Sequence, residues 1–135
     1  MPARIEFTAI VPKKKVSAAR QADVVSLMRK MGNRTRRRLM RYPTNAPPGS
    51  TYVRTGDLGR EWAIRGPGRQ GLDLVVEVGN SMSYAILVQG PADGPKGERQ
   101  TALHAQTGWP RVDEVGEEEW ERVRPEIVKA LQKKP

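Results

Sequence analysis

A chain of 135 residues, 37% hydrophobic and 5% aromatic, supports one modest aliphatic core, so a single domain over residues 1–135 is expected. Without cysteine there are no disulfides, thiolate metal sites or thiol nucleophiles. The net charge of +9 is uneven: residues 1–41 carry 12 Lys/Arg against 2 acids, residues 42–110 carry 6 against 6, and residues 111–135 carry 6 against 7. The whole surplus sits in the first third, which points to a polyanion or an acidic protein surface as partner.

Residues 4–11, RIEFTAIV, alternate with Ile5, Phe7, Ala9 and Val11 on one side, the period of a half-buried strand. Pro12 and the lysines 13–15 end it. From Ser17, a plausible N-cap, to about Arg41 the period becomes helical. At 100° per residue Val24, Val25, Met28, Met31, Thr35 and Leu39 share one arc. Arg20, Lys30, Arg34, Arg37, Arg38 and Arg41 fall roughly opposite, with Leu27 out of place among them. Cations toward the end of this helix also suit its dipole.

Three prolines and a glycine make residues 42–50 a loop. Thr55 is positioned to cap a short turn carrying Leu58, and Trp62 with Ile64 begins a strand near 61–66. GPGRQG, residues 66–71, reads as a flexible hairpin connection. Leu72, Leu74, Val76 and Val78 alternate with Asp73, Val75 and Glu77, the clearest strand in the chain, near 71–79. Asn80 and Ser81 form a turn, and Ser83–Gln89 fits a short buried helix stopped by Gly90. Residues 91–99 are a polar loop, 101–105 are open between strand and loop, and Trp109–Pro110 marks a bend. The last helix is expected to begin near Glu117, with the acids 117–119 in its first turn. Trp120, Val123, Ile127, Val128 and Leu131 share its inner face, and Pro125 should kink or restart it. The expected fold is α+β: a small, mostly antiparallel sheet packed against a long N-terminal helix and a kinked C-terminal helix.

Candidate chemistry is sparse. His104 is the single histidine, so a Ser–His scheme would have to run through it, and no G-x-S-x-G elbow precedes it. A hydrogen-bonding structural role fits it better than catalysis. Metal ligation lacks the clustered His and Cys that zinc sites need. The cluster Glu117, Glu118, Glu119 and Glu121 reads as a solvated helix turn rather than a cation site. Gly66, Gly68 and Gly71 lack the Lys-Ser/Thr of a phosphate-binding loop. No cofactor is implied. The basic helix 17–41 rewards phosphate contact through counterion release, yet no aromatics are interleaved to stack on bases. Docking on acidic protein and plain solvation stay open beside it. Trp62, Trp109 and Trp120 are core residues or interface anchors.

No stretch approaches the roughly 18 apolar residues of a membrane helix, and residues 1–11 do not make a signal peptide, so synthesis in the cytosol without membrane contact is expected. YVRTGDLGREW at 52–62, VGNSMSYAILVQG, Gln100 and LHAQTGWP follow one another in an order that resembles the neck or tail-completion proteins of long-tailed bacteriophages, also labelled minor tail or head–tail joining proteins. The resemblance covers roughly residues 50–125 and rests on Arg54, Thr55, Gly56, Leu58, Tyr84, Gln100, His104 and Trp109. The loop 91–99 is long and glycine-rich for that pattern. The resemblance implies a non-catalytic structural protein of the virion head–tail junction, made in the host cytoplasm. It also implies a homo-oligomeric ring whose partners are phage neck and tail proteins, with DNA in the channel as a further contact. In this picture Gly56 serves a tight turn, Tyr84 sits at the core edge, and Gln100 and His104 pin their segment to Trp109. The alternative is a free-standing nucleic-acid-binding protein using the basic helix 17–41.

Overall fold

The computed structural model describes residues 3–41, 43 and 57–132. The fold is α+β. Three antiparallel strands, β1 (Ala3–Ile10), β2 (Trp62–Gln70) and β3 (Asp73–Asn80), form a sheet in the order β1-β3-β2. β3 takes the centre because Leu74, Val76 and Val78 are buried on one face, opposite Ala9, Phe7 and Ile5 of β1. A one-residue slip would turn that apolar row to solvent, so the pattern itself sets the register.

Helix α1 (Ala18–Leu39) starts where Ser17 Oγ accepts from the Arg20 amide, and it buries Val24, Met28, Met31, Thr35 and Leu39. Val25 is half-buried beside them, and Leu27, out of place on the helical wheel, also packs against the core. Thr35 is tolerated inside because its hydroxyl donates to the Met31 carbonyl at 2.9 Å. The long C-terminal helix, here α5 (Val112–Gln132), packs against α1 and β1. Gly32 of α1 and Gly116 of α5 let the helices approach the sheet. A Cβ at either would collide with the Cδ1 of Ile64 or of Ile5. Two short helices, α2 (Asp57–Arg60) and α3 (Ala85–Gln89), and a third, α4 (Ala102–Gln106), complete the chain. One apolar cluster runs from Ala3 to Ala130.

Several expectations need correction. GPGRQG is no free hairpin loop: β2 runs to Gln70, and the turn to β3 is Gly71–Leu72 alone. A register shift between Arg65 and Gly68 absorbs Gly66 and Pro67, whose peptide bond is cis. Arg69 then ties the strand down, donating to the Val11 carbonyl and to Gln21 Oε1, each at 2.8 Å. Leu72, expected on the buried face, is 61% exposed because it sits in the turn rather than the strand. Asn80, expected to open a turn with Ser81, is instead the last residue of β3 and fully buried.

Residues 102–106 are helical, capped by Thr101, whose hydroxyl accepts from the His104 amide. Gly90 does stop α3, but with φ −72° rather than a left-handed turn, and a Cβ there would strike the Ile86 carbonyl. Helix α5 begins at Val112, five residues before Glu117, with Asp113 and Glu114 as its first-turn acids. It is not restarted at Pro125, which lies inside it, and Val128 is exposed rather than on the inner face. Apart from Pro43, the predicted loop 42–50 lies outside the described residues, as do the turn residues Arg54, Thr55 and Gly56.

Candidate functional site

The basic arc of α1 divides into two surfaces once α5 is in place. Arg34 and Arg38 turn toward α5, so they do not belong to an open contact face with Arg20, Lys30, Arg37 and Arg41. Glu119 is the reason. Its side chain is 3% exposed, with Arg38 Nη1 at 3.1 Å from Oε1 and Arg34 Nε at 3.4 Å from Oε2. Glu118 takes the other arm of Arg38. Burial of Arg38 weighs against its charge, but bonding and attraction to Glu118 and Glu119 outweigh it and raise its pKa above the ordinary arginine value. Glu118 and Glu119 are therefore counter-charges to α1, whereas Glu117 and Glu121 of the same cluster are exposed. The paired residues stand about 80 positions apart in sequence, so helical periodicity on either segment alone could not bring them together.

The second surface keeps its charge. Arg29, Lys30 and Arg37 are exposed and make no ion pair among the described residues. Arg36 is half-buried and donates through Nε to the Trp62 carbonyl at 2.7 Å. Ser26, Arg29, Lys30, Asn33, Arg36 and Arg37 line one open concavity. Arg20, half-buried at the start of α1, and exposed Arg41, just beyond its end, lie outside that lining. The sequence wheel left out Arg29 and Arg36, because it drew one arc where the fold makes two.

A second cluster gathers residues 84–109. Gln100 is 8% exposed, and its amide nitrogen donates to the carbonyls of Val88 at 2.8 Å and Trp109 at 3.0 Å. His104 Nδ1 lies 2.6 Å from Thr101 Oγ1, and its ring meets Trp109 edge-on at 6.3 Å between centroids. Burial lowers the His104 pKa below the ordinary histidine value, against a backbone hydrogen bond to Leu87 that raises it. Tyr84 occupies the N-cap position of α3 without a side-chain capping bond and is 38% exposed, and Leu58 on α2 is core at 6%.

Sequence reasoning missed the polar core beneath this cluster. Gln89 is fully buried: its Oε1 accepts from the indole of Trp62 at 2.8 Å, and its nitrogen donates to the carbonyls of Leu39 at 2.9 Å and Pro110 at 3.3 Å. Asn80 donates to the Leu58 carbonyl at 2.7 Å and accepts from the Met82 amide. The available signal was a lone amide ending the apolar run Ala85–Val88, since a polar group on a buried turn must find partners there.

These contacts bind loops and helix ends to one another, and Thr101–His104 is a local pair within one capped turn. Among the described residues no group of three His, Asp or Glu is arranged to hold a metal ion, and no helix is long and apolar enough to cross a membrane. No family model, curated protein or solved structure matches the chain.

Proposed function

We propose that the chain is a structural component of the bacteriophage head–tail junction, a neck or tail-completion protein that binds neighbouring ring proteins during virion assembly without catalysing a reaction. One observation carries the reading. Three of the residues that bear the resemblance meet in space: Gln100 bridges α3 to Trp109, and His104 packs against the same indole. Polar side chains spent on holding segments together are what an assembly protein needs. The charged outer strip of α1 and the open loop 91–99 supply surfaces for neighbours. On this reading the protein is a homo-oligomeric ring in the virion.

The test is the mass of the purified chain with and without isolated tail tubes, together with a count of filled heads joined to tails in a phage lacking its gene. A ring on the tube and unjoined heads and tails are expected. A chain that stays monomeric with tubes present, with normal joining in its absence, overturns the reading. A free-standing nucleic-acid-binding protein would behave that way.

A further inference from the structure

The outer concavity of α1 has a composition that selects its partner. Four of its six lining residues are cations, Arg29, Lys30, Arg36 and Arg37, and the other two are Ser26 and Asn33. No carboxylate or large apolar side chain contributes to a space of about 520 Å³. The other α1 cations that could have joined them, Arg34 and Arg38, are neutralised by Glu119 and Glu118. Arg36 is held in place by its Nε bond to Trp62, and among the described residues its two terminal nitrogens bond no protein group.

We infer that this concavity is a cradle for the phosphate backbone of duplex DNA, bound without regard to base sequence. It deepens the junction reading and rests on it for the source of the DNA, not for the chemistry of the cradle. A docking site for an acidic protein would be built around a desolvated apolar or aromatic centre, because exposed ion pairs alone hold little. This lining has no such centre. Base-specific or single-strand binding would need aromatics to stack on or several amides to read base edges, and Asn33 is the one amide present. Guanidinium and ammonium groups without competing carboxylates suit phosphates, and the counterions they displace favour binding.

The test uses the full chain and a fluorescent 30-base-pair duplex, with anisotropy followed across a potassium chloride series. Four phosphate contacts give a slope of log affinity against log salt of about −3 to −4. Two duplexes of unrelated sequence should bind alike. Arg29→Gln/Lys30→Gln/Arg37→Gln should weaken binding at least about tenfold at low salt and flatten the slope by about 2 to 3. These side chains are exposed, so the variant should melt as the parent does, and circular dichroism checks that. Arg20→Gln/Arg41→Gln, outside the lining, serves as the control and should change the slope less. Unchanged affinity and slope in the triple variant overturn the cradle. Competition by polyglutamate as strong as by DNA of equal charge also overturns it, in favour of an acidic protein. Loss of DNA binding with rings still forming removes the cradle alone. DNA binding without rings removes the junction reading alone.

Discussion

Glu119 shows how much one carboxylate can organise. It is 2% exposed and faces guanidinium groups on two turns of α1. Removing it leaves Arg34 without its counter-charge and Arg38 with Glu118 alone, while keeping it requires that both stay in place. Breaking a fully buried pair costs about 3–5 kcal/mol. Both arginines are 34% exposed and can rehydrate, so Glu119→Ala should cost less, about 2 kcal/mol, as a lower urea midpoint with an unchanged slope. Glu119→Gln keeps an acceptor and should cost about half as much.

His104 makes a prediction of a different sign. Burial lowers its folded pKa below the ordinary histidine value, so between the two values the unfolded chain binds more protons than the folded one. The stability from keeping the ring neutral is complete above the ordinary value and is lost as pH falls through the folded one. Thermal melting from about pH 7.5 to about pH 5 should show this loss, and His104→Gln should remove that part of the pH dependence. A wild-type and a variant curve that fall in parallel would rule it out.

At the scale of elements, α5 carries an internal conflict. Val112, Val115, Gly116, Glu119, Val123, Ile127 and Ala130 form one buried stripe along it, which continues past Pro125. The proline cannot donate to the Glu121 carbonyl, and its ring crowds the preceding turn. Tertiary packing of the stripe on α1 and β1 overrides that local cost. Pro125 itself is exposed, so replacing it removes no core contact. Pro125→Ala should stabilise the chain by about 1–3 kcal/mol in chemical denaturation. A neutral or destabilising result would mean that the proline's geometry is matched to the packing. The stripe also explains why the start of α5 was hidden in sequence. Its first buried positions, Val112 and Val115, are followed by Gly116 and a run of acids that resembles the opening of a new helix.

Over the whole molecule, the positive surplus of residues 1–41 is redistributed rather than simply displayed. Part of it is neutralised internally by the acidic C-terminal helix. Of what remains, Arg29, Lys30, Arg36 and Arg37 share one concavity of α1, and a charged surface of one sign raises both the rate and the salt sensitivity of association. The sheet, by contrast, leaves apolar groups at one tip, where Ile10 and Leu72 are 66% and 61% exposed.

The amino-acid sequence by itself determined the α+β class, the strands β1 and β3, the cap and inner face of α1, and the short buried helix before Gly90. Each is written in a period or a capping residue within about twenty positions, where local geometry is enough. Only the tertiary structure decided which arginines are open, that Glu119 is a core residue, that Arg69 and Gln89 join distant segments, and that Gly66–Gln70 is strand. These depend on what stands opposite a side chain, and a helical or strand period gives its direction without naming its partner. The two-residue turn at Gly71–Leu72 and the helix at 102–106 were hidden for a related reason. Glycine-rich and short polar segments carry weak local preferences, so hydrogen bonds to the rest of the fold select their conformation.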